Sequence, residues 1–248
     1  IKGVDVNLKK KKTPPLKIIQ FKEAEENLNN IWDYGFQLYK SLTYKVIPVK
    51  SDGLVSYSHF SEPGISYINL LDRNLLETVD DLIHENAHHH LNLILKKHKI
   101  LKKNDPEQKY YSPWRDSLRS IYAILHASFT FSFAAKLFYH ILNTDPSSLK
   151  NWKMEYLETS RFRFIEETKM LTYSLDDLNR NNALFTKKGL ELLEQLSNWN
   201  KENEKMARLI QKKISNKKNI EKIYSLQKKL TSATFEYKRY ADIKASKK

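Results

Sequence analysis

Apolar positions recur along most of this chain at helical spacing, and only between residues 44 and 70 does the pattern change to short β-branched and aromatic runs. A first helical pattern covers about 18–42. The runs at 44–48, 54–57 and 65–70 are separated by Ser51-Asp52-Gly53 and by Ser61-Glu62-Pro63-Gly64, the turn chemistry of a small antiparallel sheet. Then Leu75, Leu76, Val79, Leu82, Ile83, Ala87, Leu91, Ile94 and Leu95 keep a helical period, while Asp80, Asp81, Lys96 and Lys97 fall on a side or end left to solvent. Pro113 suits a first helical turn and opens a pattern of about thirty residues that stops at Asn143-Thr144-Asp145-Pro146-Ser147. Helical patterns at about 148–175, 186–213 and 219–245 follow, the last set to pack along one side only.

The class this predicts is mainly α: a multi-helix bundle with a small antiparallel β-sheet ahead of the helix at 75–95, in the strand-then-helix order of metallohydrolases rather than a cupin barrel. Three segments are expected: a lead-in and helix over 1–43, the main domain over 44–215, and a Lys-rich C-terminal helix over 216–248. The Lys-rich start, closing in Thr13-Pro14-Pro15, reads as a loose lead-in or the cut edge of a larger protein. Because the chain begins at Ile1 rather than Met, no signal peptide can be judged.

Composition narrows the chemistry. With 40% hydrophobic and 12% aromatic residues over 248 positions the chain can fill a core, and five Gly and seven Pro favour helices over strands and turns. The absence of Cys excludes disulfides, thiolate ligands and a cysteine nucleophile, so a metal would be held by His, carboxylate or water; this fits a reducing cytoplasm. A net charge of +14 suits a polyanion or an acidic peptide, yet the lysines spread over several helix faces and no nucleic-acid-binding signature occurs, so nucleic acid is not the expected partner. The uncharged run 121–135 is the one membrane candidate, but His126, Lys136 and His140, with Ser128, Thr130 and Ser132, make a buried core helix the simpler reading.

The segment Leu82-Ile83-His84-Glu85-Asn86-Ala87-His88-His89-His90-Leu91 carries a His-Glu-x-x-His motif on a helix, which places His84 and His88 on one face where they can grip one metal ion. His89 and His90 point elsewhere and are not expected to be ligands. Two imidazoles need a third group. An extended zinc-peptidase motif fails because Leu91 and Ile94 stand where Gly and His belong, while a downstream Glu166 or Glu167 keeps a zinc peptidase open, with Glu85 as its general base.

His126 is the other candidate for the third ligand. If the Pro113 pattern is one helix, Arg115, Arg119, Tyr122 and His126 fall within about 60° of one another on an inward stripe continued by Phe133, Leu137 and His140. Burying two guanidiniums there calls for an anion or a metal. Arg119 would lie roughly 10 Å along the axis from His126 and Arg115 about 16 Å, so Arg119, with Arg115 behind it, could hold the far end of a dicarboxylate chelated to the metal. The plain alternative is that His126 bonds a backbone carbonyl and the arginines pair with Asp80, Asp81 or Asp116.

At these residues the sequence resembles the 2-oxoglutarate-dependent peptide β-hydroxylases that carry a His-Glu-x-x-His motif. The likeness lies in Ser56-Tyr57-Ser58-His59-Phe60-Ser61-Glu62-Pro63-Gly64-Ile65, in the motif itself, in Ser112-Pro113-Trp114-Arg115-Asp116-Ser117-Leu118-Arg119 through Leu125-His126-Ala127, and in the late Thr186-Lys187-Lys188-Gly189 helix start, together roughly 44–195. Ser120 and Ala127 depart from the family's Pro and Gly. The resemblance implies Fe(II) held by His84, His88 and His126, 2-oxoglutarate as cosubstrate with its distal carboxylate on Arg119 and Arg115, and hydroxylation of a β-carbon in a ribosomally made precursor peptide. Glu85 would then orient an imidazole or a water, and Tyr122, His59 and Trp114 would line the pocket or fill core. Zinc in place of iron, and a metal-free peptide-binding module, remain as alternatives.

Overall fold

The computed structural model describes residues 14–49, 56–103 and 106–245, with side chains up to Tyr237. These residues form a mainly helical protein, with seven α-helices, sheets of three and two strands, and no closed barrel. They divide into two compact units: one holds the residues up to Ile94 with Tyr139–Leu157, the other Leu95–Phe138 and the residues from Glu158 on. The divisions fall inside helices that contribute to both units, so no composition shift marks them.

In the first unit, the single helix expected over 18–42 is two, α1 (Pro15–Ile31) and α2 (Asp33–Leu42). Trp32 breaks it, with φ −153° and ψ 83°, and lays its indole on His140 at 5.0 Å between ring centroids and 12° between planes. Burial of a Trp outweighs the loss of one helical residue. Gly35 makes the room, because a Cβ there would collide with the Trp32 ring. The Tyr39 hydroxyl donates to Glu25 at 3.0 Å and ties α2 back to α1.

Strands β1 (Lys45–Pro48) and β3 (Ile65–Ile68) fall within their expected runs and β2 (Ser56–Ser58) overlaps the end of its own, but the sheet is mixed rather than antiparallel. β2 pairs antiparallel with β3, Tyr57 opposite Tyr67, across a turn in which Gly64 takes φ +80°. β1 takes the other edge of β3 and runs parallel to it, Lys45 opposite Ile65. The first expected turn, Ser51-Asp52-Gly53, lies outside the described residues. Every second residue of β3 is buried, Ser66 and Ile68, which gives the sheet one packed face.

Helix α3 (Leu75–Lys97) begins with a reciprocal cap: Asn74 Oδ1 accepts from the Glu77 amide at 3.0 Å, and Glu77 Oε2 accepts from the Asn74 amide at 3.0 Å. Leu75, Leu76, Val79, Leu82, Ile83, Ala87 and Leu91 are all buried, as the period requires. Asp81, expected on a solvated side, is buried too.

The second unit holds the largest departure. Pro113 does not start a helix; it sits in the turn of a hairpin between β4 (Tyr110–Ser112) and β5 (Ser117–Arg119), with Tyr110 opposite Arg119. The Arg115 amide donates to the Ser112 carbonyl at 3.2 Å, a β-turn with Pro113 second in line, where its fixed φ serves as well as at a helix start. Asp116 follows with φ 49°, and its carboxylate accepts from the Tyr111 hydroxyl at 2.6 Å and pairs with Lys229 at 3.1 Å. Helix α4 (Ile121–Asn143) starts after Ser120, whose hydroxyl caps the Ala123 amide at 3.3 Å.

Helices α5 (Met154–Arg180), α6 (Lys187–Gln211) and α7 (Lys217–Ala245) close the chain; α5 starts later than expected, after a turn of 3-10 helix at Pro146–Ser148. The Thr186 hydroxyl caps the Gly189 amide at 3.2 Å, and Gly189 lies so close to the Ile100 carbonyl that a Cβ would strike it. α7 buries Ile223, Leu226 and Ala233 along one side, as expected. α4 is long and apolar enough to cross a membrane, yet 67% of its most apolar window is buried inside the protein, as a core helix would be.

Candidate metal centre

The helical spacing of α3 brings together what the motif promised. One ligand atom from each of His84, Glu85 and His88 lies within 4.8 Å of the other two, and the two imidazoles stand 5.1 Å apart at 74°. Both histidines are half-buried and Glu85 is buried. Among the described residues, Glu85 Oε2 is fully enclosed with no hydrogen-bond partner. A buried carboxylate oxygen beside two imidazoles fits a divalent cation, which would supply the missing partner.

Neighbouring residues fix the helix that carries these groups. Asn86 donates to the Thr43 hydroxyl at 3.1 Å and to the Leu38 carbonyl at 3.3 Å, pinning α3 to the end of α2. His89 Nδ1 accepts from the Gly64 amide at 3.3 Å and its Nε2 meets the Ser66 hydroxyl at 3.1 Å, so this imidazole joins α3 to β3. Burial lowers the pKa of His89 and of His90, keeping both neutral. His89 thus ties the motif helix to the sheet.

Burial pushes the Glu85 pKa up to about 8, the Asp81 carboxylate adds to the rise and the Ser58 hydroxyl opposes it. Asp81 itself is raised to about 6, by burial first and Asp80 second, against the Arg73 guanidinium at 3.2 Å and the Ser56 hydroxyl at 2.6 Å. Sequence reading missed Asp81. The available signal was its position four residues before Glu85, on the same helix face.

His126 and the two arginines lie in the other unit. His126 is half-buried on α4 with the Tyr122 ring 4.4 Å away, and burial takes its pKa down to about 4, so the imidazole is neutral as a metal ligand must be. Arg115, in the hairpin turn, and Arg119, on β5, are both exposed. The inward helical stripe of Arg115, Arg119, Tyr122 and His126 therefore does not exist, and the distances reckoned along a helix axis fall with it. Of the suggested acids, Asp81 pairs with Arg73 and Asp116 with Lys229.

Trp114 proves to be a clamp. Its indole stacks on Phe131 at 4.4 Å and donates to the buried Glu167 carboxylate at 2.8 Å, which Arg163 also grips at 2.7 Å. Glu166 pairs with the same arginine at 3.0 Å, so both candidate peptidase ligands are engaged inside the second unit. His59 is exposed, edge-on to Tyr57 and Tyr67, which stack at 4.6 Å.

No protein-family model matches the chain, and no curated protein matches it.

Proposed function

We propose that the chain is a cytoplasmic Fe(II)- and 2-oxoglutarate-dependent oxygenase that hydroxylates a β-carbon within a ribosomally made peptide. The observation that carries the reading is the His84, Glu85 and His88 cluster, a donor set that fits a divalent cation. The resemblance of the stretches around His59, the motif, Arg119 and His126 to peptide β-hydroxylases supplies the choice of iron and cosubstrate. In this assignment His84, His88 and His126 hold the metal, and bound iron supplies oxygen activation coupled to decarboxylation of 2-oxoglutarate. Arg119, with Arg115 in support, takes the distal carboxylate; both guanidiniums face solvent and neither is committed to an ion pair among the described residues. Tyr122 lies beside His126, and Glu85 orients an imidazole or a bound water. A surface of +14 suits an acidic leader or core segment in the substrate peptide.

A zinc peptidase is the second reading, favoured by the place of Glu85 beside both imidazoles, where a general base would act. Anaerobic protein is to be titrated with Fe(II) and 2-oxoglutarate, then given oxygen and candidate precursor peptides. Oxygenase activity predicts 2-oxoglutarate consumption and a peptide heavier by one oxygen atom, with both lost in His126→Ala. Metal binding itself should weaken about 100-fold in His84→Ala/His88→Ala, roughly 3 kcal/mol. Peptide cleavage restored by zinc, with no need for 2-oxoglutarate, would establish the peptidase instead.

A further inference from the structure

Between α5, α6 and α7, all within the second unit, lies a groove of about 340 Å³. None of its lining residues belongs to the metal cluster. A volume at the small end of the ligand-pocket range admits a small molecule rather than a folded partner. Its wall mixes apolar surface, Ala207 and Leu230 included, with the polar groups of Lys169, Arg208, Thr231 and Glu204.

The charges on that wall are unequally satisfied. Glu204 accepts from the Thr172 hydroxyl at 2.5 Å, and Asp176, at the rim, pairs with Arg180 at 3.5 Å. Lys169 and Arg208 have neither a hydrogen bond nor an ion pair among the described residues; burial first and Arg208 second depress the Lys169 pKa, and the Glu204 carboxylate opposes them. Two neighbouring unpaired cations in a groove form an oxyanion receptor. The hydroxyls set the rest of the ligand. Thr168, itself buried, gives its proton to the Phe164 carbonyl at 2.7 Å; the exposed Thr231 gives its own to the Gln227 carbonyl at 2.9 Å and so offers only lone pairs outward. Such a wall accepts hydrogen bonds from ligand hydroxyls.

We propose that this groove binds a small hydroxylated organic anion, its carboxylate or phosphoryl group on Lys169 and Arg208 and its hydroxyls on Thr231 and Glu204. Calorimetric titration of the full chain with gluconate, glucose 6-phosphate, glucose and inorganic phosphate separates the contributions. At least one of gluconate and glucose 6-phosphate should bind at about 1 mM or tighter, and whichever does so identifies the oxyanion. Glucose should give no heat, and phosphate alone should bind at least tenfold more weakly than glucose 6-phosphate if the ester binds. Arg208→Gln, at an exposed position, should weaken binding about tenfold with an unchanged circular dichroism spectrum, and Lys169→Gln should do the same; the Arg208 variant carries the test alone if the half-buried Lys169 change perturbs folding. His84→Ala/His88→Ala should leave this binding intact, which keeps the result separate from that of the metal centre. Heat from none of the probes, glucose or bare phosphate binding as well as the acids, or undiminished binding in folded Arg208→Gln overturns the proposal.

Discussion

Two segments were expected to share one site, the motif helix α3 and the stretch from Tyr110 to His126, and they differ in what holds their shape. In α3 one period decides everything: the residues that bury Leu82, Ile83 and Leu91 also place His84, Glu85 and His88 together. Local propensity, capping and burial agree there. In the second stretch they compete. Pro113 is acceptable both at a helix start and in a β-turn, and the choice falls to Tyr111, which bonds Asp116 and stacks on Tyr237 at 5.1 Å and 14°. The lesson is that a motif is as legible as the element beneath it is locally determined.

The largest test of this contrast uses the charge buried in the motif helix. Glu85 and Asp81 have native pKa values of about 8 and about 6 against ordinary values of 4.5 and 3.8. The native state therefore holds protons that the unfolded chain has released, and the stability of metal-free protein falls as pH rises from about 4 to about 8. Thermal melting in EDTA should show a decline of several kcal/mol, since each tenfold difference in proton affinity between native and unfolded chain is worth about 1.4 kcal/mol. Glu85→Gln should flatten the upper part of that decline, above about pH 6. A profile in Glu85→Gln that still falls between pH 6 and 8 would break the account of the motif helix.

A smaller effect distinguishes hairpin from helix at Asp116. With φ 49° and a bond to Tyr111, Asp116→Ala should lower the urea midpoint, while Asp116→Gly should be the milder change because Gly adopts that conformation freely. In a continuous helix from Pro113 the order reverses, since Ala is the best helix former and Gly a poor one. Urea denaturation of the two variants decides it.

The smallest effect concerns the true start of α4. Ser120 caps the Ala123 amide, so Ser120→Ala should cost about 1 kcal/mol in the same urea measurement. If α4 ran back to Pro113, this change would fall inside a helix and stabilise slightly.

Much of the fold was legible. The helices 75–97, 187–211 and 217–245 and the three short strands follow from periodicity, and the Thr186 and Asn74 caps from residue type at the right offset. The Ser120 cap was equally readable but stood inside a pattern that Pro113 had claimed. Trp32 was not readable, because its departure from helix depends on His140, more than a hundred residues away. Of the site, the metal cluster could be read because helical offsets within one turn create it. For Asp81 only its place on the Glu85 face could be read, not the Ser56 and Arg73 partners that arrive from the sheet and the loop ahead of α3.

The sequence by itself determined the helical class, the motif helix and the convergence of His84, Glu85 and His88, because each depends on contacts within about two helical turns. Only the tertiary structure decided that β1 runs parallel to β3, that Arg115 and Arg119 stand exposed on a hairpin, and that Trp114 clamps Glu167. These depend on partners distant in the chain, whose burial and hydrogen bonds outweigh local preferences worth about 1 kcal/mol or less per residue.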